Sequence, residues 1–501
     1  MAISIMIHRE KWIFSFLLLL YLFRLIIINY LGLAPDEAYY WYWSKYLDWS
    51  YLDHPPMVAY LMAFFTGLGG DSEFFVRVGG LLCSVIALLF LYLTARKLVP
   101  NNNQFSWELL LIINITPLFS VGCIVQTPDT PMILFWTVAV FCGAQIISGA
   151  SGKWWYLWGV ALGLGLLSKY PMILIVPCQF AFLLFSRSHR HWLLRKEPYL
   201  ALLLGLVIFS PVLLWNWQHQ WVSFAFQLHH GFSPVKRAMA SKLLEYIAGQ
   251  AGIMTPLLFL AFIYYSVKGF YLSIQRGISA YLYLALLSWP ILVFFGFSSM
   301  LGKVAGGNWP APAYITGLIL MWSVYREYFG EKRGHKNFIY IAIGLAVVMN
   351  LLLHVHLLKP IIPLSPKLDT TRQFHGWREL GNKINSYIKE YPHQEGYFLM
   401  ADGGQRLSEA VFYSGNRYMG FDFFRPERYI FLPDIDHLQG KNAIILLHRF
   451  RESTLKKYEP YFTELTMIGK HTFIYRGKKI KELRIILGKG YRGNWLPFNE
   501  R

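Results

Sequence analysis

The sequence predicts a polytopic α-helical membrane protein carrying a water-soluble α/β domain at its C-terminal end. Three observations carry that expectation. Of 501 residues, 55% are hydrophobic and only 15% charged, with a mean hydropathy of +0.37; a soluble globular chain carries roughly a quarter charged residues. Apolar runs long enough to cross a bilayer recur through residues 1–358. The charge is concentrated beyond them: residues 1–358 hold 23 Lys/Arg and 13 Asp/Glu, whereas the much shorter 359–501 holds 24 and 15. This composition excludes a simple soluble enzyme, a disordered chain and a fibrous one.

About eleven spans are expected, over residues 12–32, 74–95, 107–125, 131–149, 155–168, 171–186, 199–215, 243–265, 278–298, 311–325 and 337–358. The basic start at Arg9 and Lys11 is followed by an apolar run without a small-residue cleavage site, so it reads as the first span rather than a removed signal peptide. With the N-terminus in the cytoplasm, the inner segments hold fifteen Lys/Arg and the outer segments seven, which satisfies the positive-inside bias. Residues 359–501 then fall outside the cell. The acids skew the other way: Asp36, Glu37, Asp48, Asp53, Asp71, Glu73, Asp129 and Glu245 all lie on the outer side. Acids contribute little to topology, so this skew points to chemistry on the outer face.

Three prolines in Lys359–Asp369 end the last span. Beyond them Trp377–Tyr391 reads as helix, and Tyr397–Met400, Ala443–Leu447 and Thr472–Tyr475 as strands. Cys83, Cys123, Cys142 and Cys178 form neither a disulfide framework nor a zinc-ligand spacing. The net charge of +19 fits anionic lipid and inner loops better than nucleic acid.

The first outer loop is the most informative stretch. Asp36-Glu37 stands directly after the first span, followed by Tyr39-Tyr40-Trp41-Tyr42-Trp43 and then Asp53-His54-Pro55-Pro56. Such aromatic density suits the membrane–water interface, so the loop is expected to lie along the membrane surface as short amphipathic helices. An aromatic belt with solvated acids is the plainer alternative. Against it, carboxylates at a low-dielectric boundary are costly unless they pair or act, and a His-Pro-Pro turn stiffens the backbone.

Three further outer features follow. Asp129, in Thr127-Pro128-Asp129-Thr130-Pro131, is a second acid at a helix end, and also a plausible helix start. Lys169, in an otherwise apolar hairpin, requires an acid, a lipid phosphate or a ligand phosphate as its partner, or else snorkels to the interface. Asn308-Trp309-Pro310 forms a stiff loop before the tenth span. Arg24 lies within the first span, where it either pairs inside the bundle or reaches a lipid phosphate. His229-His230 is too weak a pair to assign a metal, and a divalent ion is left open.

Taken together, these residues resemble the GT-C glycosyltransferases that use a polyprenyl-phosphate sugar. The closer likeness is to the bacterial group that includes the protein O-mannosyltransferases and the aminoarabinose transferase acting on lipid A. The resemblance rests on Asp36-Glu37 after the first span, the Tyr/Trp loop, Asp53-His54-Pro55-Pro56, Asp129, Lys169 and Asn308-Trp309-Pro310, in that order and on one side. It implies an undecaprenyl-phosphate sugar as donor and an acceptor on the outer face: lipid A or LPS core, another glycan, or protein. It also implies Asp36 as the main catalytic acid residue with Glu37 beside it, and Asp129 as a second. Lys169, the Asp53-His54 turn, Tyr39, Asn308 and Trp309 would surround the donor phosphate or substrate. Two departures stand out: the aminoarabinose transferases have Lys where His54 stands and Arg where Tyr39 stands, so the part of a phosphate clamp built on those cations would fall to protonated His54, to Lys169 or to Arg24.

The chemistry is coherent without the family. Displacing a sugar from a lipid phosphate needs cations for the leaving phosphate, a carboxylate base for a hydroxyl acceptor and a groove at membrane level. The rival readings are a flippase for a lipid-linked sugar, which predicts interrupted helices repeated in two halves, and a non-catalytic envelope assembly protein.

Overall fold

The structure is a computed structural model that describes residues 2–99, 103–232, 236–422, 426–433, 435–448 and 452–493. Its helices in chain order are α1 (Ala2–Tyr30), α2 (Pro35–Trp43), α3 (Met57–Gly69), α4 (Glu73–Leu98), α5 (Asn103–Ile115), α6 (Pro117–Gly122), α7 (Asp129–Ile147), α8 (Trp154–Leu166), α9 (Ile175–Phe185) and α10 (Lys196–Gln218). They continue as α11 (Val222–Phe232), α12 (Met239–Met254), α13 (Pro256–Arg276), α14 (Ser279–Leu286), α15 (Trp289–Leu301), α16 (Ala311–Val324), α17 (Arg333–Leu358), α18 (Trp377–Glu390), α19 (Gly404–Tyr413) and α20 (Glu452–Leu455).

The protein is a polytopic membrane protein. Among the described residues seven helical stretches are long and apolar enough to cross a bilayer: Glu10–Tyr30, Glu73–Leu98, Asp129–Ile147, Lys196–Gln218, Pro256–Arg276, Ser279–Leu301 and Arg333–Leu358. Other expected spans are shorter or interrupted, each for a local reason. The run 107–125 breaks between α5 and α6, because Thr116 turns extended (φ −80°, ψ 133°) ahead of Pro117. The run 243–265 straddles two helices: Thr255 takes a positive φ of 66° and Pro256 opens α13. The run 171–186 begins with a 3₁₀ turn, Tyr170–Leu174, containing Pro171.

The chain divides into two compact units that interleave in sequence. The first comprises residues 1–26, 53–58 and 80–354, and the second 27–52, 59–79 and 355–501. In the first, α16 is buried at every one of its 14 positions, the signature of a helix that is apolar all round. There α8 and α10 approach closely through small residues: a Cβ on Gly159 would stand 2.4 Å from the Ala201 carbonyl oxygen. Backbones approach this closely only where side chains are absent.

The second unit is built on a five-stranded sheet: β1 (Tyr397–Ala401), β2 (Gly420–Asp422), β3 (Asn442–Leu447), β4 (Phe462–Tyr475) and β5 (Lys478–Tyr491), in the order β2-β1-β3-β5-β4. β1 runs parallel to β2 and β3, while β5 runs antiparallel to both β3 and β4. The β4–β5 hairpin turns at Arg476-Gly477, both at positive φ (52° and 72°), as a two-residue turn matched to strand twist requires. β1 and β3 are buried at every position, so both faces of the sheet centre are covered.

The aromatic loop does not form a surface helix. Glu37 to Trp43 are all buried in α2, whereas an amphipathic interfacial helix leaves one face outside. α2 packs on α19 instead, with Trp41 edge-on to Phe412 at 4.8 Å and the Tyr42 hydroxyl accepting from the Gly420 amide at 2.8 Å. Trp43 stacks on Tyr51 at 4.2 Å. Aromatics that suggest an interface to composition alone are here the core of the second unit.

Asp369 secures the entry to the sheet. It accepts from the Tyr475 hydroxyl at 2.6 Å, the Thr371 hydroxyl at 2.7 Å and amide at 3.0 Å, and lies 3.1 Å from His356 Nε2. Burial alone would push its carboxyl up; the bonds from Tyr475, Thr371 and His356 outweigh that and hold it down at about 2. A carboxyl depressed in the folded state stabilises above its unfolded value and loses that contribution as pH falls through the folded value. Unfolding of the whole protein, followed by tryptophan fluorescence, is therefore expected to show a stability loss between about pH 4 and pH 2 that Asp369→Asn removes; an unchanged acid profile in that variant would refute the assignment. Gly159→Ile is expected to lower stability by about 1–3 kcal/mol or more through overpacking, read as a reduced unfolding midpoint in detergent.

Candidate active site

In the second unit the two adjacent carboxylates of α2 meet opposite fates. α1 stops at Tyr30, Pro35 opens α2 without needing an amide partner, and Glu37 in the first turn reaches back to accept the Ala34 amide at 2.8 Å. Glu37 is fully buried. Arg77, also fully buried, forks onto it with Nε to Oε1 at 2.8 Å and Nη2 to Oε2 at 2.6 Å. The same guanidinium donates to the carbonyls of Ile28 (3.2 Å), Leu31 (2.5 Å) and Gly32 (2.6 Å). Bidentate geometry with the remaining donors satisfied is the condition under which a buried ion pair is tolerated. One helical step away, Asp36 is exposed, and its Oδ1 accepts from the amide group of Gln405.

Tyr39 is buried in the same unit. Its hydroxyl donates to the Arg428 carbonyl at 3.1 Å and its ring lies 4.9 Å from that of Trp43.

In the first unit Asp129 opens α7. It stands in the first helical turn, as its sequence context allows, just after Pro128 at the N-cap position, and among the described residues no backbone amide is bonded to its carboxylate. Instead Lys169 Nζ contacts both oxygens, at 2.8 and 2.7 Å, and Asn308 Nδ2 donates to Oδ2 at 2.8 Å. Lys169 and Asp129 are only 9% and 15% exposed, so this pair is well shielded from water. The partner that Lys169 requires is thus an acid. Asp129, Asn308, Thr127 and Thr130 line a cavity of ≈ 180 Å³ whose other walls are mostly apolar, Ile113 and Phe119 among them. Trp309 packs edge-on against Phe295 at 6.0 Å. Asp53 and His54 are half-buried at a bend in this unit, where the Asp53 carbonyl accepts from Gln227.

Arg24 pairs within the bundle: Nη1 donates to Asn114 Oδ1 at 2.7 Å and the guanidinium lies over Tyr21 at 4.8 Å. His229 is exposed, and the side chain of His230 lies outside the described residues. Among the described residues no cluster of three or more His, Cys, Asp or Glu is spaced to hold a metal. Sequence reasoning missed Arg77, Gln405 and Gln227. Arg77 carried a signal, a cation inside an apolar helix; the two glutamines carried none.

Fold and geometry define a class: a polytopic membrane protein with the GT-C fold. Over 95% of this chain and 98% of the other, the structure superposes on ArnT from Cupriavidus metallidurans bound to undecaprenyl phosphate, with a TM-score of 0.63 and 15% identity. Residues 53–215 match the family described as dolichyl-phosphate-mannose-protein mannosyltransferase. Two curated relatives are also similar. The lipid A galacturonosyltransferase RgtD of Rhizobium johnstonii is 26% identical over 326 residues, 61% of this chain and 64% of that protein. The undecaprenyl phosphate-alpha-4-amino-4-deoxy-L-arabinose arabinosyl transferase of Edwardsiella ictaluri is 26% identical over 205 residues, 37% and 36% of the two chains. The matched region therefore spans less than two thirds of either relative. The GT-C resemblance read from the residues is the one these comparisons find.

Removing one member of the buried pair leaves the other charged and unpaired. Arg77→Met is expected to destabilise the protein by about 3–5 kcal/mol, and Asp129→Asn, in a less enclosed pair, by less. Equal unfolding midpoints for Arg77→Met and wild type would overturn the structural role given to Arg77.

Proposed function

We propose that the protein is an integral membrane glycosyltransferase that moves a sugar from an undecaprenyl-phosphate donor to an envelope acceptor on the periplasmic face. The acceptor is lipid A or LPS core, another glycan, or protein. The observation that carries this reading is an ammonium held against a carboxylate beside a mostly apolar cavity, Lys169 on Asp129. A lipid phosphate brings the same two requirements, a cation for its head and a greasy channel for its chain. The likeness to a lipid A galacturonosyltransferase and to an undecaprenyl phosphate-alpha-4-amino-4-deoxy-L-arabinose arabinosyl transferase supports it. In this reading residues 1–358 form the catalytic membrane domain in the bacterial inner membrane and 359–501 a periplasmic domain.

The reaction breaks the bond between the anomeric carbon and the phosphate oxygen, and the electron pair leaves on the phosphate. Lys169 exchanges Asp129 for that phosphate and neutralises the growing charge, while Asn308, Trp309, Asp53 and His54 position the donor. The acceptor oxygen forms the new bond to carbon and passes its proton to Asp36, whose carboxylate is exposed and oriented by Gln405. An acceptor phosphate is already anionic, and Asp36 then orients it without taking a proton. Glu37 is saturated by Arg77 and the Ala34 amide, so it serves as the residue that holds Asp36 in place, and Tyr39 as part of the same support.

Transfer of radiolabelled sugar from a polyprenyl-phosphate donor tests the reading. Asp36→Asn is expected to lower kcat by about 10²–10⁴-fold with a hydroxyl acceptor, and full activity would remove Asp36 from the mechanism. Lys169→Ala is expected to raise KM for the lipid donor; an unchanged KM would sink that role. Mass spectrometry of envelope lipids from a deletion strain identifies the sugar and acceptor.

A further inference from the structure

The second unit contains a polar crevice that the proposed chemistry does not use. β1, β2 and β3 are mutually parallel with β1 in the middle, so their C-terminal ends open on one edge of the sheet. From β1 the chain passes through α19 to β2 on one side, and β3 lies on the other. Open α/β sheets bind ligands at such a switch of direction, outside the carboxyl ends of the strands. Here Asp402 follows β1, Asp422 ends β2 and His448 follows β3, with the His448 amide donating to Asp402 Oδ2 at 2.8 Å. Gly403-Gly404 then opens α19. A cavity of ≈ 320 Å³ lies at this edge, lined by Asp402, Arg406, Glu409, Asp422, Trp377 and Lys481 among others.

Two of these groups, Glu409 and Lys481, influence each other electrostatically but form no ion pair with each other among the described residues. Glu409 is fully buried, and among the described residues neither carboxyl oxygen has a hydrogen-bond partner. Burial pushes its carboxyl well up, which leaves a neutral acid able both to donate and to accept. Lys481 sits with its ammonium 3.9 Å from the ring centre of Trp377 and 4.1 Å from that of Phe473, and among the described residues no carboxylate forms an ion pair with it. Burial lowers its ammonium to about 8. Arg406 is committed to Asp402. A buried acid with nothing to bond to costs more than any apolar residue of its size, so its presence at a cavity wall calls for a ligand. A carboxyl without a hydrogen bond on one wall and an ammonium without an ion pair on another, close enough to feel each other's charge, ask that ligand for a hydroxyl and an anionic group. The aromatic face of Trp377 and the amide end of α19 suit a sugar ring carrying that anion.

We propose that this crevice is the acceptor's headgroup subsite, taking a saccharide that bears a phosphate or carboxylate: the anion sits between Lys481 and the amide end of α19, and a ring hydroxyl bonds to Glu409. The assignment of the ligand as acceptor rests on the transferase reading; the binding chemistry does not. Pro35 also lines the cavity and Asp36 is bonded to Gln405 at its rim, so a headgroup bound there lies next to the residue given the role of base.

The test is calorimetric titration of the full-length protein in detergent with four probes: a phosphorylated glucosamine disaccharide, its dephosphorylated counterpart, galacturonate and inorganic phosphate. The phosphorylated disaccharide is expected to bind more tightly than its dephosphorylated counterpart or phosphate, and galacturonate to report whether a carboxylate suffices. Lys481→Met, which keeps the apolar stem against Trp377, is expected to weaken the phosphorylated probe by about tenfold or more and to leave the dephosphorylated one unchanged. Glu409→Gln, which keeps the shape, is expected to weaken both disaccharides. Unfolding midpoints at or above wild type show that these losses are local. Equal binding of all probes by wild type and both variants overturns the proposal. If the protein transfers no sugar yet loses the phosphorylated probe in Lys481→Met, the subsite stands and the transferase reading falls. If it transfers sugar and Lys481→Met leaves both acceptor KM and probe binding unchanged, the subsite falls alone.

Discussion

The second unit is organised around one buried guanidinium. Arg77 meets both oxygens of Glu37 and three carbonyls at the end of α1. Those carbonyls belong to the last turn of a helix and the residues just beyond it, where intrahelical donors run out. Without Arg77 they would face a desolvated interior with no donor, and Glu37 would be a bare buried charge. With it, the end of α1 is joined to the start of α2 through one planar group whose five N–H bonds match the demand. Everything else about α2 follows from that anchorage: its burial, its contact with α19, and the exposure of Asp36 one helical step from Glu37.

The same rule governs the charges of the first unit. Arg24 is fully buried in an apolar helix and is met by Asn114, which is itself held by the Leu110 carbonyl, while its backbone carbonyl accepts from Asn350. Lys169 is met by Asp129 and, through it, by Asn308. These two solutions differ chemically. A neutral amide satisfies geometry but leaves the positive charge of Arg24 uncancelled, so it remains a fixed source of positive potential in a low-dielectric region. Lys169 and Asp129 cancel one another.

The contrast between Glu37 and Glu409 is instructive. Both are fully buried carboxyls in the second unit. One has an arginine fork and an amide; the other has no bond among the described residues. A saturated acid supports the backbone around it, whereas an unsaturated one beside a cavity is available to something that enters. Burial by itself does not distinguish structural from functional acids; the state of their hydrogen-bonding capacity does.

Much of this was legible from local pattern. Hydropathy located the membrane class and most of the long helices. The shift in charge density at the proline-rich break near Lys359 marked the sheet-bearing tail. Counting apolar residues failed at Pro117 and Pro256, because a proline interrupts a helix without interrupting hydrophobicity. Aromatic density also misled, since the same side chains serve a membrane interface and a protein core. What the linear order could not contain was the choice of partner. Lys169 and Asp129 are 40 residues apart, and Glu37 and Arg77 likewise, while Asp36 and Gln405 are separated by 369. Sequence alone determined which residues are greasy, which are charged and roughly where helices begin, because those depend on a few neighbouring side chains. Only the tertiary structure decided which charge is spent on holding the backbone and which stays exposed, because that depends on what packing brings within 3 Å or so of each atom.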